Sequence, residues 1–302
     1  MKVILASPRG YCAGVIRAIE IVERALLIYG PPVFIKHALV HNTTVVRSLE
    51  ARGAVTVESP DEAPVGAVIV FSAHGSPPED YEEARLREQT IIDATCPLVT
   101  RVHNEAKKYH KEGRTLLYIG HSGHVEPRGA LGWAPMELVD DRHPQELEAA
   151  LSRVHGPLVV LTQTTLGLED TRSTLQRIAE KFPKAILKMD ICFAVTNRQV
   201  AVSQLASRVD LVLVVGSAQS SNASRMVEVA RDRGCPAYLI EGPQSIDPNW
   251  LAGVSTLGLT SGASTPEELV LQVVDFLKPD EVTTLEAVRE DIRFILPRDL
   301  AL

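Results

Sequence analysis

Three cysteines in matching sequence contexts are the residues best suited to chemistry. Cys12, Cys96 and Cys192 are separated by 84 and 96 residues, and each lies between a predicted strand and a predicted helix. A thiol at the start of a helix lies near the positive end of the helix dipole, which favours the thiolate. The three positions therefore predict metal-binding or catalytic thiolates, and the plain alternative is that they are small packing residues at strand ends.

If the three thiolates bind a metal, the choice is between zinc and an iron–sulfur cluster. Structural zinc sites usually contain closely spaced Cys-x-x-Cys pairs, which this sequence lacks. Ferredoxin-type clusters also have closely spaced ligands and normally four thiolates. Three widely separated thiolates would leave one iron of a four-iron cluster without a protein ligand. Because an open iron is a Lewis acid for a substrate, this pattern favours catalysis over electron storage.

The fourth cysteine has a different context. Cys235 precedes a predicted strand instead of following one. We interpret it as a buried packing residue, since free cysteine is among the most often buried residue types.

Polar residues after several predicted strands suit an anionic ligand. They are imidazole, hydroxyl and amide donors, namely His41, His74, His124, Ser220, Ser221, Asn222 and Ser264. Such donors could surround a diphosphate without a strongly basic surface. Each one alone is more typical of a helix cap or a loop, so only their repeated placement favours a site. No phosphate-binding Gly-x-x-x-x-Gly-Lys-Ser/Thr loop and no clear Gly-x-Gly-x-x-Gly motif is present, so a nucleotide is not indicated.

Glu126 is the best candidate proton donor. It follows His124 by two residues in a glycine-containing loop. A carboxyl group beside a leaving hydroxyl could protonate it, and Thr164 and Gln163 could orient that hydroxyl or relay protons. The alternative interpretation of Glu126 is a solvated loop charge.

Alternating strands and helices must position these residues. Predicted strands are Lys2–Ala6, Val33–Ile35, Ala67–Phe71, Thr90–Ala94, Thr115–Ile119, Leu158–Leu161, Ala185–Ile191, Leu211–Val215 and Thr256–Leu259. Strands that alternate with helices indicate parallel sheets, whose ligand sites lie at the carboxyl ends of the strands. We predict an α/β fold of three small domains with mostly parallel sheets. Their expected ranges are 1–96, 97–192 and 193–280, followed by a C-terminal arm at 281–302.

Composition excludes several classes of protein. The 302 residues are 45% hydrophobic and 23% charged with a formal net charge of −7, which argues against broad nucleic-acid binding. No apolar run approaches the length of a membrane span, and the N-terminal apolar run is too short for a signal peptide. We therefore expect a cytoplasmic protein without nucleic-acid or membrane partners.

Ten ordered motifs resemble the 4-hydroxy-3-methylbut-2-enyl diphosphate reductase family. They are Pro8–Val15, Val40–Asn42, Phe71–Gly75, Asp93–Pro97, Gly120–Glu126, Thr162–Thr165, Asp190–Cys192, Asn197–Gln199, Ser220–Asn222 and Gly262–Ser264. The resemblance spans nearly the whole chain, from Val3 to the tail at Pro297. It is therefore far more specific than any single motif.

The resemblance implies a pseudo-threefold trefoil of α/β domains around one [4Fe-4S] cluster per chain. The cluster ligands of the family fall on Cys12, Cys96 and Cys192. Its diphosphate-binding positions fall on His41, His74, His124, Ser220, Ser221, Asn222 and Ser264. Glu126 falls on the proton-delivery residue and Thr164 on the threonine near the substrate hydroxyl, and His124 is assigned to catalysis as well as binding.

The implied reaction is reductive dehydroxylation of an allylic diphosphate. Two electrons convert 4-hydroxy-3-methylbut-2-enyl diphosphate to isopentenyl and dimethylallyl diphosphates at the open iron, which is the last step of the non-mevalonate isoprenoid pathway. Ferredoxin or flavodoxin is the expected electron donor, since the cluster passes one electron at a time. Val195 and Ala223 depart from the family pattern, where threonine and serine are usual. Neither position is assigned to the cluster or the diphosphate, so the departures affect only hydrogen bonds around the assigned residues.

Two other functions fit three cysteine ligands. One is a non-redox hydro-lyase that uses an open iron as a Lewis acid, and the other is a non-catalytic redox or iron sensor. The diphosphate donors and Glu126 favour the reductase over the hydro-lyase. The acidic net charge and the absence of a DNA-binding motif weigh against a sensor.

Overall fold

The computed structural model describes residues 1–140 and 142–300. Its strands are β1 (Lys2–Ser7), β2 (Val33–Lys36), β3 (Ala54–Val57), β4 (Val68–Phe71), β5 (Thr90–Asp93), β6 (Thr115–Ile119), β7 (Glu137–Val139), β8 (Leu158–Thr162), β9 (Ile186–Leu187), β10 (Leu211–Val215), β11 (Ala237–Ile240), β12 (Thr256–Ser261) and β13 (Glu281–Glu286). Its helices are α1 (Ala13–Tyr29), α2 (Thr43–Glu50), α3 (Pro78–Leu86), α4 (Pro97–Lys111), α5 (Val125–Trp133), α6 (Pro144–Ser152), α7 (Leu168–Lys181), α8 (Phe193–Ala206), α9 (Ser221–Asp232) and α10 (Glu267–Leu277). None of these helices is long and apolar enough to cross a membrane.

The strands form parallel sheets that confirm the predicted α/β class. Within the described ranges, sheet 1 has the order β11-β10-β12-β1-β13, sheet 2 the order β3-β2-β4-β5, and sheet 3 the order β7-β6-β8-β9. Every strand pair in these sheets is parallel. The carboxyl ends of neighbouring strands therefore lie at one edge of each sheet, where ligand sites of such folds occur.

Unit 1 is one of two compact units and contains sheet 1. It comprises Met1–Ile16, His41–Val46 and Phe193–Arg293. The first strand pairs with two strands from the end of the chain, since Val3 lies opposite Leu257 of β12 and Val282 of β13. The predicted arm thus begins as a sheet strand. The domain ranges ending at 96, 192 and 280 stay a prediction.

The core of unit 1 packs α8 and α9 against sheet 1. Leu205 of α8 and Met226 of α9 are fully buried beside Val212 and Val214 of β10. Cys235 lies in the same core at 5% exposure, as its context before a strand predicts. Burial raises the pKa of its thiol, so this cysteine is held as a neutral packing group.

Unit 2 contains sheets 2 and 3. It comprises Arg17–Val40, Arg47–Cys192 and the tail from Phe294. Val102 and Ala106 of α4 bury one face of that helix against β6, beside Tyr118 at 0% exposure. This packing fixes the start of α4, where Cys96 lies, relative to the end of β6.

One predicted strand is much shorter in the structure. The range predicted at Ala185–Ile191 retains only the two residues of β9, at the edge of sheet 3. The backbone N–H of Asp190 donates to the Thr162 hydroxyl at 2.8 Å, so a side chain replaces the expected strand partner. The chain thereby leaves the sheet and turns toward Cys192.

Candidate functional site

Cys96 begins helix α4 and is tied to the loop that carries His74. It is the N-cap residue of α4, and Pro97 occupies the first helical position. The Cys96 N–H donates to the carbonyl of Ala73 at 3.0 Å. The partly exposed cysteine therefore has the predicted strand-to-helix position, at the end of the helix that favours a thiolate.

Gly75 is needed for the conformation of the loop next to His74. Its φ is +81°, in the left-handed region that favours glycine. A Cβ atom at this position would lie 2.6 Å from the His103 ring. Helix α5 packs closely on the same loop, since a Cβ atom on Gly129 would lie 3.1 Å from the Gly75 carbonyl oxygen. The loop therefore has little room to move.

Substituting Gly75 by alanine should destabilise the protein more than a matched change at Gly66. Both residues have positive φ, which costs an alanine about 1–2 kcal/mol, but no atom lies within 4 Å of a Cβ built on Gly66. The clash with His103 adds about 1–3 kcal/mol at Gly75 only. Urea unfolding of Gly75→Ala and Gly66→Ala measures the difference, and equal losses would show that the His103 contact is unimportant.

His124 lies beside His74 and caps helix α5. The two rings have a centroid distance of 6.0 Å and an edge-to-face arrangement. Nδ1 of His124 accepts the Glu126 N–H at 3.2 Å. A neutral His124 ring that accepts at Nδ1 carries its proton at Nε2, where it is a donor suited to an anion.

Glu126 is a buried acid and not a solvated loop charge. Its side chain is in the first turn of α5 and the residue is only 2% exposed. Oε1 accepts the Thr164 N–H at 2.7 Å, and Oε2 accepts the Thr164 hydroxyl at 2.9 Å. The Tyr118 hydroxyl donates to Oε1 at 3.5 Å. The carboxyl is thus fixed in orientation by the backbone and side chain of one threonine.

Burial gives Glu126 a pKa close to neutrality. Loss of hydration raises the pKa of Glu126 to about 7, although hydrogen bonds from Thr164 and Tyr118 oppose that rise. A general acid is most effective when its pKa lies near the working pH. Glu126 therefore has the burial, partners and pKa expected of a proton donor at neutral pH.

The raised pKa of Glu126 predicts a pH-dependent cost in stability. Between its ordinary value of 4.5 and about 7, the folded chain holds a proton that the unfolded chain releases. Stability is therefore unaffected below pH 4.5 and falls as pH rises toward 7. Glu126→Gln removes this cost, so its unfolding free energy relative to the parent chain should rise by about 2–3 kcal/mol between pH 5 and pH 8. A pH-independent difference in urea unfolding without iron would contradict the assignment.

Thr164 connects Glu126 to Cys192. Its carbonyl accepts the Cys192 N–H at 2.9 Å, while its own N–H and hydroxyl donate to Glu126. Asp190 braces the same turn, since its carboxylate accepts the Thr162 N–H at 3.3 Å and binds Arg101 at 3.2 Å. Unit 2 thus links Cys96, His74, His124, Glu126, Thr164 and Cys192 through successive backbone, capping and ring contacts.

The Gln163 side chain hydrogen-bonds to His121 and Thr165 and not to Glu126. Its amide oxygen accepts the His121 N–H at 2.9 Å, and its amide nitrogen donates to the Thr165 hydroxyl at 2.8 Å. Both functional groups are therefore engaged within the loop. Of the two proposed relay residues, Thr164 is the one in contact with the acid.

Unit 1 brings Cys12, Ser264 and His41 together. The Cys12 N–H donates to the carbonyl of Ala263 at 3.0 Å, and the next residue, Ser264, donates from its hydroxyl to the His41 carbonyl at 3.1 Å. Cys12 is partly exposed and precedes α1. The polar end of β12 is therefore adjacent to this cysteine, as the sequence predicts.

The start of helix α9 in unit 1 contains three of the predicted anion-binding residues. Ser220 is its N-cap and accepts the Ala223 N–H at 3.3 Å, and Ser221 and Asn222 form the first turn. Asn222 is 4% exposed, yet neither atom of its amide group has a hydrogen-bond partner within residues 1–140 and 142–300. Buried polar groups are rarely left unpaired, so a polar ligand is the natural partner of this amide.

Ala223 is explained by packing. Ala223 is fully buried, and a Cβ atom built on Gly216 would lie 2.7 Å from the Ala223 Cβ. A Cβ atom on Gly262 would lie 3.2 Å from the same methyl group. The smaller side chain therefore fits against two glycines at this turn, where a serine is usual in the resembled family.

The three cysteines share one local environment, directly before a helix. In the part of the chain that the structure describes, no three His, Cys, Asp or Glu side chains form a group that could hold one ion. The thiolates of a four-iron cluster bind different irons, so they need not share one point. Cys12, Cys96 and Cys192 are all partly exposed and all precede helices, which suits soft-metal ligation.

Three residues that shape these sites have no assigned role in the sequence patterns: Tyr118, Asp190 and Arg198. Tyr118 was part of a predicted strand, and only the structure shows its hydroxyl facing Glu126. Asp190 and Arg198 lay within resembled motifs without an assigned role. Tyr118 had one signal in the sequence, since a tyrosine in a buried strand usually finds a partner for its hydroxyl.

Comparisons with known proteins show the family of this chain. A family model described as LytB protein matches residues 3–278. The chain belongs to the LytB protein family. A relative from Rhodopseudomonas palustris, named 4-hydroxy-3-methylbut-2-enyl diphosphate reductase 1, is 46% identical over 98% of this chain and 99% of its own length. A relative from Acidothermus cellulolyticus, named 4-hydroxy-3-methylbut-2-enyl diphosphate reductase, is 47% identical over 99% of this chain and 90% of its own length.

A solved structure supports the LytB fold. The E-1-hydroxy-2-methyl-but-2-enyl-4-diphosphate reductase from Plasmodium falciparum matches with a TM-score of 0.93 and 35% sequence identity. The match covers 99% of this chain and 96% of that one. The family resemblance inferred from ten motifs is thereby confirmed.

Proposed function

We propose that this LytB protein is a 4-hydroxy-3-methylbut-2-enyl diphosphate reductase. The observation that carries the proposal is the buried pair of Glu126 and Thr164, which is hydrogen-bonded to the backbone of Cys192. The proposed proton donor and a proposed cluster ligand are then connected through one residue, Thr164. The names of the relatives from R. palustris and A. cellulolyticus support the same activity.

Cys12, Cys96 and Cys192 would hold one [4Fe-4S] cluster per chain. Their partial exposure and their positions before helices fit thiolate ligands, and Cys235 is excluded by its place in the core of unit 1. When bound, the cluster supplies single electrons and an iron that can accept a substrate oxygen. We place the protein in the cytoplasm, because a reducing compartment keeps such thiols available.

The diphosphate would be held by neutral donors and not by arginines or lysines. The proposed donors are His41, His74, His124, Ser220, Ser221, Asn222 and Ser264. Asn222 supports this role through its buried and unpaired amide group, and Ser220 and Ser221 through their position at a helix N-terminus. His124 supports it through the proton that its ring carries at Nε2.

Glu126 would supply the proton that lets the hydroxyl group leave as water. The balanced reaction breaks one C–O bond, forms one C–H bond and consumes two electrons and two protons. A carboxyl with a pKa of about 7 holds a proton in about half of the molecules at pH 7. The Thr164 hydroxyl donates to the carboxylate, so it would orient the acid and the substrate hydroxyl together. Ferredoxin or flavodoxin is the proposed electron donor.

An anaerobic assay tests the proposal against a hydro-lyase. The chain is reconstituted with iron and sulfide, which should be retained at about four of each per chain. It is then given the allylic diphosphate with and without a reductant. A reductase forms isoprenoid diphosphates only with the reductant, whereas loss or addition of water without any reductant would identify a hydro-lyase. Failure to retain iron and sulfide would reject the cluster assignment.

A further inference from the structure

Arg198 of helix α8 is a charged residue with no exposure to solvent. Its side chain is 0% exposed. One guanidinium nitrogen, Nη2, donates to the carbonyl of Gly10 at 2.7 Å, and the other, Nη1, donates to the carbonyl of Ala194 at 2.9 Å. A buried guanidinium is costly unless it is paired and hydrogen-bonded. The buried guanidinium of Arg198 therefore needs a negatively charged partner within unit 1.

The charge partner comes from the C-terminal segment of unit 1. Both carboxylate oxygens of Glu290 accept from Arg198 Nη1, at 3.0 and 3.3 Å. Asn197 donates to the same carboxylate at 3.1 Å. The Glu290 side chain is 16% exposed, so water screens this ion pair only weakly. Glu290 thus neutralises Arg198 and fixes its orientation.

A strand delivers Glu290 to this position. Residues of β13 pair in parallel with β1 along its whole length, from Lys2 opposite Glu281 to Ser7 opposite Glu286. The Ala287 N–H then donates to the Ser7 carbonyl at 2.9 Å. The match to the family model ends at residue 278, so this strand and Glu290 lie beyond it. The segment is nevertheless built into the sheet of unit 1.

Arg198 binds the backbone that leads into Cys12. Gly10 lies two residues before Cys12 and has a φ of +69°. Its carbonyl is held by Arg198, and its N–H donates to the Ser261 hydroxyl at 2.9 Å. We propose that Arg198 and Glu290 are positioning residues for Cys12, because they clamp the backbone that leads into this cysteine. The inference rests on the proposed function, in which Cys12 is a cluster ligand.

Glu290→Gln tests the clamp by removing the charge of the carboxylate while keeping the size and shape of the side chain, so its amide oxygen can still accept from Arg198. The matched control is Glu286→Gln, an exposed carboxylate in the same segment. Hydrogen exchange by mass spectrometry compares a peptide spanning residues 8–15 with one that contains β10. We expect Glu290→Gln to speed amide exchange about tenfold in the first peptide only, which is the effect of replacing a charged hydrogen bond by a neutral one. Glu286→Gln should match the parent chain.

A spectroscopic readout connects the clamp to the cluster. The parent chain and both variants are reconstituted and reduced. Electron paramagnetic resonance then compares the signals of their reduced clusters, and a chelator assay compares their rates of iron loss. Glu290→Gln should change the signal and lose iron several-fold faster, since one ligand is less well fixed. Arg198→Lys keeps the charge but replaces the two Nη atoms of the guanidinium by one nitrogen, so it should act in the same direction.

The outcomes separate this inference from the proposed function. Unchanged exchange at residues 8–15, or equal acceleration in the β10 peptide, would overturn the clamp, because the pair would then be inert or merely structural. The clamp would also be overturned if the parent chain binds iron and Glu290→Gln has the same signal and the same rate of iron loss as the parent. A parent chain that binds no iron would instead reject the proposed function.

Discussion

Replacing Glu126 by glutamine is expected to reduce the turnover number about 10²- to 10⁴-fold, the usual contribution of a positioned general acid. The amide keeps the size of the carboxyl but cannot deliver a proton. The Thr164 N–H, which donates to Oε1 at 2.7 Å, can still donate to the amide oxygen, and the Thr164 hydroxyl, 2.9 Å from Oε2, can accept from the amide nitrogen. Steady-state assays of the reconstituted chain with a chemical reductant measure the loss.

The control for this prediction is Glu148→Gln. Glu148 is a surface carboxylate of unit 2 that pairs with Lys181 and Arg177, and its side chain is 48% exposed. Its replacement should leave turnover unchanged. Iron content must be equal in the two variants, so that a lower rate reports proton delivery and not cluster loss. A Glu126→Gln variant with full iron and parental turnover would mean that the proton comes from elsewhere.

Serine substitution of each proposed ligand is expected to abolish stable iron binding. Cys12→Ser, Cys96→Ser and Cys192→Ser each remove one of three thiolates, and two protein ligands are too few to retain a four-iron cluster. Cys235→Ser is the internal control, since that residue is 5% exposed in a hydrophobic core. Iron and sulfide analysis after anaerobic reconstitution gives the result for all four.

The cysteine series can contradict the account in two ways. Equal iron loss in all four variants would show that the sorting of cysteines by context is wrong. Retention of iron in a Cys12, Cys96 or Cys192 variant would remove that residue from the ligand set. A fall in the unfolding free energy of Cys235→Ser with normal iron is the expected cost of a hydroxyl in the core.

The fold class and the family followed from local patterns in the sequence. Strands such as Leu211–Val215 are uninterrupted β-branched and apolar runs, typical of parallel strands buried on both faces. The cysteines could be sorted because a helix start and a strand start have different flanking residues. Cys96 was therefore placed correctly at the N-cap of α4, and Cys235 before β11.

What the sequence could not predict depends on contacts between distant residues. β13 has five exposed positions out of six and lacks the apolar run of a buried strand, so its pairing with the distant β1 could not be predicted. The pKa of Glu126 depends on burial and on Thr164, which lies 38 residues away. The ion pair of Arg198 and Glu290 joins residues 92 positions apart, and neither has a local pattern that indicates a partner.

The most direct test of the central claim is the electron count of the reaction. The reconstituted chain is supplied with reduced methyl viologen and the allylic diphosphate, and viologen oxidation and isoprenoid diphosphate formation are measured together. Reductive dehydroxylation predicts two viologen electrons consumed for each molecule of isopentenyl or dimethylallyl diphosphate formed. Product without viologen oxidation, or an iron-loaded chain that forms no isoprenoid diphosphate, would contradict it.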